Sequence, residues 1–557
     1  MNTPAVRRIS RDTIDANQGG KIALSGRLVL MDEASTVIPQ GVLYMDKGNI
    51  VAVTEAGAPC PVGFESVSII NSRGTIFPGL IELHNHLAYN ALRLWDVPKP
   101  YTNRDQWARI PDYRKLISGP MQIIGKTPEL VPSLIRYVEC KSLLGGVTTS
   151  QGIQLFSNAG IRRFYRGLVR NVEQTDEKGL PEAVTRVADI DARDAGRFLG
   201  RLKKASCFLL HLSEGVDETA RKHFLALQIS DQDWAIGPQL AGIHCAGLAE
   251  EDFKIYGEKQ GAMIWSPLSN LLLYGKTARI KSAKKAGVRI GIGSDWSPSG
   301  SKNLFGELKV ARLVSQAEGD VFSDRDIVSM ATRQAAAILQ WDAALGSLEA
   351  GKRADLLVIS GATGDPYESV VTAKETSIRL VMINGVARYG FPSLMRRLGA
   401  AGENIQVGGS ARMVFLEHES ADPTVGALSL KAAMKTLKEA LRQLPELARE
   451  REQPDAAPRG VLRRLVQGMP SQQEWTLALD ELEDTGLDLR PRLPLRGEQA
   501  LTGPTRAPTL MASPLSEIVE PLDLDPLTVA DDATFLSRID RQLNLPDFVK
   551  TGLKAMY

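Results

Sequence analysis

Between residue 75 and about residue 349, short apolar runs of strand length alternate with amphipathic stretches of helical length. This alternation is typical of parallel β-sheets, in which a helix connects each strand to the next. The flanking residues 21–73 and 352–390 are instead rich in β-branched residues and turns, including the hairpin dipeptide Asn384-Gly385. We therefore predict a βα domain and a β-module that is assembled from both of its flanks.

Charge and cysteine content narrow the classes of function. The net charge is only +2 and the basic residues form no long block, which argues against nucleic acid and an anionic membrane as partners. No apolar stretch reaches the roughly 18 residues that span a bilayer, and no apolar core follows the paired arginines near the N-terminus. The four cysteines form no C-x-x-C pair, so free thiols in the cytoplasm are expected.

Two of the six histidines, His84 and His86, stand one residue apart at the end of the apolar run in "PGLIELHNHLAYN". Alternate residues of a strand point to the same side, so this pair could bind one metal ion together. The alternative is a coincidence on an exposed strand. The pair alone does not decide between these interpretations.

Three further apolar runs of strand length end in polar residues, namely His211, His244 and Asp295, and Glu214 follows His211 by three positions. The C-terminal ends of barrel strands carry catalytic residues, so these side chains could meet there. A histidine at a strand end is more often structural, and an aspartate there can simply cap a helix. Four of six histidines on strand ends of one βα domain nevertheless favour a metal site. The other two, His223 and His418, are predicted to be surface residues.

The ordered motifs "GTIFPGLIELHNHL", "HLSE", "GIHCAGL", "SPLSN" and "GIGSDWSPSGSKNLFGELKVA", followed by "GSLEAGKRADLLVI", resemble the amidohydrolase superfamily. The similar branch contains cytosine, guanine and adenosylhomocysteine deaminases and triazine hydrolases. The resemblance covers about residues 21–390. It implies an α/β fold, a (β/α)8 TIM barrel with a composite β-sandwich from both flanks.

The predicted domain organisation follows from this resemblance and from the change in amino-acid composition after residue 390. Residues 473–484 are predicted to be helical, and seven prolines between Pro491 and Pro526 predict an extended strap. Two short helices are expected within residues 531–557. The segments are an N-terminal tail (1–20), the first half of the β-sandwich (21–74), the hydrolase barrel (75–349), the second half of the sandwich (350–390) and a helical, proline-rich C-terminal strap (391–557).

The resemblance also implies a role for each strand-end residue. His84 and His86 would be metal ligands on the first strand, His211 on the fifth and Asp295 on the eighth. His244 would be the sixth-strand histidine beside the metal, and Glu214 the acid that follows the fifth-strand ligand. Three imidazoles and one carboxylate suit zinc, with iron or manganese as alternatives. The fourth strand, "EAVTRVADI", contains no lysine that could bridge two metals, so one divalent ion per chain is expected.

This set of residues implies a hydrolase that acts on carbon–nitrogen bonds other than peptide bonds. Metal-bound hydroxide would deaminate a small molecule or open a cyclic amide, with Asp295, His244 and Glu214 as catalytic groups. The alternatives are hydrolysis of another substituent or of an acyclic amide, and a non-catalytic scaffold with an interacting C-terminal region. The long loop from Tyr89 to Tyr113 carries Trp95, Tyr101, Trp107 and Tyr113, which either form a small core or line a pocket for a flat or apolar substrate. Association into a homo-oligomer is left open.

Overall fold

The computed structural model describes residues 19–452, 474–479 and 514–557, except residues 109, 176, 178, 191 and 419–421. Nearly all of the predicted N-terminal tail, residues 453–460 and the proline-rich residues 491–513 lie outside the described residues. No helix in the described part of the chain is long and apolar enough to cross a membrane.

The described residues form strands and helices that are numbered here in chain order. The strands are β1 Ile22–Val29, β2 Val37–Asp46, β3 Asn49–Glu55, β4 Ile69–Pro78, β5 Leu80–Glu82, β6 Val147–Ser150, β7 Gln154–Ser157, β8 Arg162–Phe164, β9 Arg170–Asn171, β10 Ala183–Arg186, β11 Cys207–Leu212, β12 Leu240–His244, β13 Ala262–Trp265, β14 Arg289–Ile292, β15 Leu356–Ser360, β16 Ile378–Ile383, β17 Val386–Gly390, β18 Glu403–Val407, β19 Ser410–Val414 and β20 Trp475–Leu477. The α-helices are α1 Pro111–Tyr113, α2 Gly119–Gly125, α3 Val131–Leu144, α4 Ala195–Leu202, α5 Glu218–Leu225, α6 Glu250–Glu258, α7 Pro267–Tyr274, α8 Ile280–Lys285, α9 Leu304–Ala317, α10 Asp324–Met330, α11 Arg333–Ile338, α12 Pro366–Val371, α13 Pro392–Arg397, α14 Leu430–Arg442, α15 Leu444–Glu452, α16 Leu515–Ile518, α17 Phe535–Arg541 and α18 Asp547–Met556.

Two parallel sheets position the strand-end residues. One has the strand order β5-β6-β9 and the other the order β10-β11-β12-β13-β14. Every residue of β11, β12 and β13 is buried, because helices and loops cover a parallel sheet on both faces. The backbone N–H of Leu83, just after β5, donates to the carbonyl of Ile292 in β14, and the N–H of Ala183 in β10 donates to the carbonyl of Val172. The fold is therefore an α/β fold of the TIM-barrel type.

The two flanks of this α/β unit meet in one nine-stranded sheet with the order β18-β19-β17-β16-β15-β4-β1-β2-β3. Strand β4 runs past the boundary predicted at residue 74, and β18 and β19 come from the segment predicted as a strap. The predicted Asn384-Gly385 turn is confirmed, since it connects β16 to β17 with both residues at positive φ, 49° and 73°. A primed turn needs that backbone conformation, which asparagine and glycine adopt most easily.

The C-terminal segment returns to the α/β unit. Helix α14 packs against α3, and the two short helices expected in the tail are α17 and α18. The helix predicted over residues 473–484 is wrong where that segment is described, because Trp475–Leu477 forms strand β20 and pairs antiparallel with β7. An available sheet edge outweighs the weak helix propensity of this segment, whose tryptophan and threonine also suit a strand.

Candidate metal centre

The strand-end residues meet in the structure. His84 and His86 follow β5, His211 lies in β11, His244 ends β12 and Asp295 follows β14. The nitrogen and oxygen atoms that could bind a metal lie within 4.8 Å of one another in the group His84, His86, His211 and in the group His84, His244, Asp295. The Oδ1 atom of Asp295 is 3.0 Å from His84 Nε2 and 3.5 Å from His86 Nε2. These five side chains therefore face one centre.

The backbone is strained where it delivers two of these side chains. His244 and Asp295 have φ values of 68° and 66°, a left-handed conformation that costs energy for residues other than glycine. The backbone of Gly293 also approaches the first-strand loop closely, since a Cβ atom at Gly293 would lie 2.5 Å from the backbone nitrogen of His84. Such strain clusters at functional sites, where the surrounding structure enforces it.

Hydrogen bonds direct the ligand atoms inward. His84 Nδ1 donates to Gln151 Oε1 over 3.0 Å, and Gln151 Oε1 also accepts the backbone N–H of Asn85. His244 Nδ1 lies 2.9 Å from Asn270 Oδ1, and the Oγ of Ser269 donates to Asp295 Oδ2 over 2.6 Å. With Nδ1 carrying the proton, the Nε2 lone pair of each of these two histidines is free to bind a metal or accept a proton.

The electrostatics of the site match the protonation states that metal ligands need. Burial lowers the pKa of His84 and of His211, which keeps both imidazoles neutral. Burial opposes ionisation of Asp295, but the adjacent imidazoles, His84 foremost, hold the pKa of this carboxyl well below its usual range. Neutral imidazole and ionised carboxylate are the forms that bind metal ions.

The residues fit a divalent ion by a further test. His84 Nε2 is buried and makes no hydrogen bond of good geometry with any described residue, although Asp295 Oδ1 lies 3.0 Å away. A buried polar atom without a partner costs about 1–3 kcal/mol, and a metal ion at the centre would satisfy it.

Glu214 lies at the edge of this centre and is held from two sides. Its Oε1 accepts a hydrogen bond of 2.8 Å from the Tyr274 hydroxyl, which itself accepts from Trp107 Nε1. Its Oε2 lies 3.8 Å from His244 Nε2 and 3.8 Å from Arg104 Nη1. The carboxyl group therefore faces both the metal centre and a fixed cation.

A cavity of about 690 Å³ opens beside the metal centre and is lined by both His86 and His211. Its other polar lining includes Gln151, Thr185 and Arg186, and one residue of the C-terminal part of the chain, Ala478, also lines it. This volume suits a small molecule of about drug size. The cavity is also lined by residues 183–186 of strand β10.

The aromatic residues of the long loop after β5 form a core. Trp95, Tyr101, Trp107 and Tyr113 are all at most 6% exposed, and Trp107 and Tyr113 pack against Trp296. Trp296 in turn packs on His86, with ring centroids 5.4 Å apart. None of these four aromatics lines the cavity that the described residues form; Tyr89 does. Of the two interpretations of this loop, the structure therefore favours the core.

The two histidines left out of the predicted site lie outside the cluster. His223 Nδ1 lies 3.2 Å from Asp189 Oδ1, with 28% of its side chain exposed. His418 was predicted to be a surface residue, but it is half-buried in the segment that follows strand β19. Burial lowers the pKa of His418 to about 3.

The sequence did not identify the residues that support the site. Asn270 and Ser269 belong to the motif "SPLSN", which was recognised without a role for either residue. Gln151 and Tyr274 carry no local pattern, and Arg104 stands in the long aromatic loop. Their roles depend on contacts between distant parts of the chain, which a single sequence does not reveal.

Known proteins share parts of this sequence and its fold. A profile of the amidohydrolase family matches residues 233–388. The 5-methylthioadenosine/S-adenosylhomocysteine deaminase of Desulforudis audaxviator strain MP104C is 28% identical over 360 residues, which cover 57% of this chain and 80% of that protein. Two solved structures share the fold, each covering 66% of this chain: the atrazine chlorohydrolase of Arthrobacter aurescens TC1 complexed with zinc (TM-score 0.51, 19% identity, 94% of that chain) and the guanine deaminase of E. coli (TM-score 0.50, 16% identity, 99% of that chain).

These matches confirm the resemblance to the amidohydrolase superfamily. The protein is a hydrolase that acts on carbon–nitrogen bonds other than peptide bonds.

Proposed function

We propose that this protein is a metal-dependent hydrolase that removes an amino group from a small heterocyclic compound. The observation that carries the proposal is the convergence of three histidines and Asp295 on one centre beside a cavity of about 690 Å³. The 28% identical relative that is named a deaminase supports deamination over the alternatives. A flat nucleoside or base is therefore the substrate class to test first.

His84, His86, His211 and Asp295 would hold one divalent ion. This nitrogen and oxygen set favours zinc, with iron or manganese as alternatives. A single ion is favoured because the fourth barrel strand, Ala183–Arg186, contains no lysine that could bridge two metals. When bound, the ion would act as a Lewis acid that lowers the pKa of a coordinated water to roughly 7.

The side chains around the centre supply the proton transfers. Asp295 is ionised and held by Ser269, so it can accept a proton from the attacking water. His244 holds its Nδ1 proton against Asn270, which leaves its Nε2 to orient the water or, once protonated, to stabilise a developing oxyanion. Glu214 Oε2 faces the centre while Tyr274 fixes Oε1, so a protonated Glu214 can give its proton to a ring nitrogen. The proton that Asp295 takes from the water can then pass to the leaving amine.

The proposal also covers the finer architecture. We infer that the eight parallel strands β5, β6 and β9–β14 close into a (β/α)8 barrel, supported by the backbone hydrogen bonds that join β5 to β14 and β9 to β10. The nine-stranded sheet would be the composite β-domain of the two flanks. Residues from about 391 onward would be a helical extension that straps the barrel. A cytoplasmic location and a homo-oligomeric state stay predictions.

The test is ammonia release across a panel of purines, pyrimidines, adenosine derivatives including 5-methylthioadenosine and S-adenosylhomocysteine, cyclic amides and triazines. We expect turnover of at least one amino-substituted ring and none by Asp295→Asn, which removes the proton acceptor and keeps the side-chain shape. Near-normal turnover by Asp295→Asn would contradict the scheme. Product formation without ammonia would instead support hydrolysis of another substituent or of an acyclic amide, and turnover of nothing would leave the non-catalytic scaffold.

A further inference from the structure

One carboxylate of the C-terminal segment is buried beside the loops of the metal centre. Asp525 is 2% exposed and lies between two lysines, Lys141 of α3 and Lys302 of the loop before α9. Its Oδ2 is 2.5 Å from Lys141 Nζ and its Oδ1 is 2.6 Å from Lys302 Nζ. Both carboxylate oxygens are therefore used, and the segment is fixed at this point.

Lys141 connects Asp525 to two loops of the metal centre, the loop that contains His86 and the loop that contains Asp295. Besides Asp525 it donates to the backbone carbonyl of Asn90 over 2.8 Å and to the Oγ of Ser297 over 2.8 Å. All three of its N–H donors are therefore satisfied. Asn90 lies four residues after His86, and Ser297 lies two residues after Asp295.

The same two loops are also bonded to each other. Asn90 Oδ1 accepts from the backbone N–H of Ser297 over 2.8 Å, and Asn90 Nδ2 donates to Asn85 Oδ1 over 2.9 Å. The backbone N–H of His86 donates to the carbonyl of Asp295 over 2.6 Å. Movement of Asn90 or Ser297 would therefore change how His86 and Asp295 face each other.

The charges in this cluster balance. Lys302 also pairs with Asp532, 3.0 Å away, so two buried lysines face two buried carboxylates. Removing one partner of a buried pair is costly, because it leaves a charge without compensation in a region that water does not reach. The backbone N–H of Asp525 donates to the carbonyl of Ala91, and the hydroxyl of Tyr137 donates to the carbonyl of Asp525, so its position is set from several sides.

We propose that Asp525 is a positioning residue of the active site, which holds Lys141 so that Lys141 fixes the loop of His86 against the loop of Asp295. The role rests on the proposed function, because it concerns the geometry of the same centre. The C-terminal segment lies beyond the residues that resemble the superfamily. The proposal gives this segment a part in building the active site. Within the described residues, the hydrogen bonds and ion pairs of Asp525 are with Lys141, Lys302, Tyr137 and Ala91, none of which lines the cavity or is a proposed ligand.

The test compares three variants of the full-length, metal-loaded protein. Asp525→Asn removes the charge and keeps the shape, Asp523→Asn is the matched control at an exposed aspartate two residues earlier, and Asp525→Asn with Lys141→Met removes one charge of each sign. For Asp525→Asn we expect hydrogen exchange of residues 85–97 and 294–303 to become at least about 10-fold faster. We also expect the visible spectrum of the cobalt-loaded protein to change. In the control we expect neither change.

The double variant separates positioning from stability. It restores the charge balance and should melt within a few degrees of the wild type, but it lacks the Lys141 bonds to Asn90 and Ser297. We therefore expect kcat on any compound that the wild type turns over to fall by about 10–100-fold with little change in KM, because misplacement of reacting groups by about 1 Å costs about that much.

Wild-type kcat in the double variant, or unchanged exchange and cobalt spectrum in a folded Asp525→Asn, would overturn the proposal. If Asp525→Asn alone does not fold, the double variant decides by the same measurements. If the wild type turns over no compound of the panel, the proposed deamination fails. The exchange and spectral results then still decide the role of Asp525.

Discussion

Two histidines of the candidate centre, His84 and His244, are held at Nδ1 by an amide side chain, and this support determines which ring nitrogen faces the centre. Gln151 serves His84 and Asn270 serves His244. Outer partners of this kind typically change metal affinity by about 10–100-fold when they are removed. The proposed metal centre should therefore depend on these amides as well as on the proposed ligands.

Metal content tests the ligands directly. We expect the purified wild type to bind about one zinc ion per chain, and His84→Ala or His211→Ala to lose most of it, because each removes one of four ligands. Elemental analysis after dialysis measures the stoichiometry. His223→Ala, a histidine outside the cluster, should keep the ion. Two ions per wild-type chain would contradict the single site, and full occupancy in His84→Ala would contradict its role as a ligand.

The burial of Glu307 predicts how the stability of the protein changes with pH. This glutamate is fully buried, where it accepts the backbone N–H of Leu268 and bonds to the Ser301 hydroxyl. Burial raises its pKa from 4.5 to about 8. The folded state then binds the proton more tightly than the unfolded state. Glu307 therefore makes its full contribution to the free energy of unfolding below about pH 4.5, and this contribution is lost as pH rises through about 8.

Glu307→Gln keeps a neutral side chain at every pH. We expect the variant to be more stable than the wild type at pH 9, by on the order of 2–4 kcal/mol, and to lose the fall in stability between pH 5 and pH 8. Urea unfolding at pH 5, 7 and 9 measures both quantities. Parallel stability curves of the two proteins across this range would show that Glu307 does not titrate there.

At this scale the sequence predicted which side chains meet at the centre but not the ones that hold them. His84 and His86 stand out because they alternate on a strand, and His211, His244 and Asp295 because they end apolar runs. Gln151 and Tyr274 are ordinary residues in their own segments. They acquire a role only when β6 and α7 are brought against the centre, which requires the tertiary structure.

At the scale of elements, a small antiparallel sheet borders the cavity. Its strand order is β20-β7-β8, and it joins Trp475–Leu477 of the C-terminal part to two strands that follow barrel strand β6. The guanidinium of Arg163 stacks on Trp475 at 4.0 Å, which adds to the strand pairing. Ala478, just after β20, lines the cavity beside residues of β7 and β8.

A bulky residue at position 478 should therefore narrow the cavity without disturbing the metal centre. We expect Ala478→Trp to raise KM for the largest compounds of the panel by at least about 10-fold and to leave zinc content unchanged, because steric exclusion acts on binding alone. Ala478→Ser is the matched control and should behave like the wild type. Equal KM values for Ala478→Trp and the wild type on large and small compounds would show that substrates do not reach this wall.

The same sheet shows why some elements escape prediction from a sequence. The dipeptide Asn384-Gly385 predicts its hairpin correctly, because a turn signal is local. The segment 475–477 has no strong period of either kind, and its conformation is determined by the free edge of β7, more than 300 residues earlier in the chain. The strands β18 and β19 lie in the segment predicted as a strap, because β19 joins the sheet by pairing with β17, which belongs to another segment.

At the scale of the whole molecule, the last described segment covers the α/β unit. The amide of Gln542 donates to the carbonyl of Trp95, and that of Asn544 donates to the carbonyl of Leu272, so the segment bonds both to the aromatic loop and to α7. It buries ten large apolar side chains, Leu515, Val519, Leu524, Leu527, Val529, Phe535, Ile539, Leu545, Val549 and Leu553. Burying one apolar side chain of this size stabilises the folded state by about 1.5–3 kcal/mol relative to leaving it exposed, before the cost in chain entropy.

A pair of identical substitutions tests whether this burial stabilises the protein. Leu553 in α18 is 1% exposed, whereas Leu543, ten residues earlier, is 70% exposed. We expect Leu553→Ala to lower the free energy of unfolding by about 2–4 kcal/mol, because it removes buried apolar surface and leaves a cavity, and Leu543→Ala to change it by less than about 0.5 kcal/mol. Urea unfolding followed by tryptophan fluorescence measures both. A neutral Leu553→Ala would mean that the tail lies loosely on the surface, and the barrel would then have to be stable without its C-terminal segment.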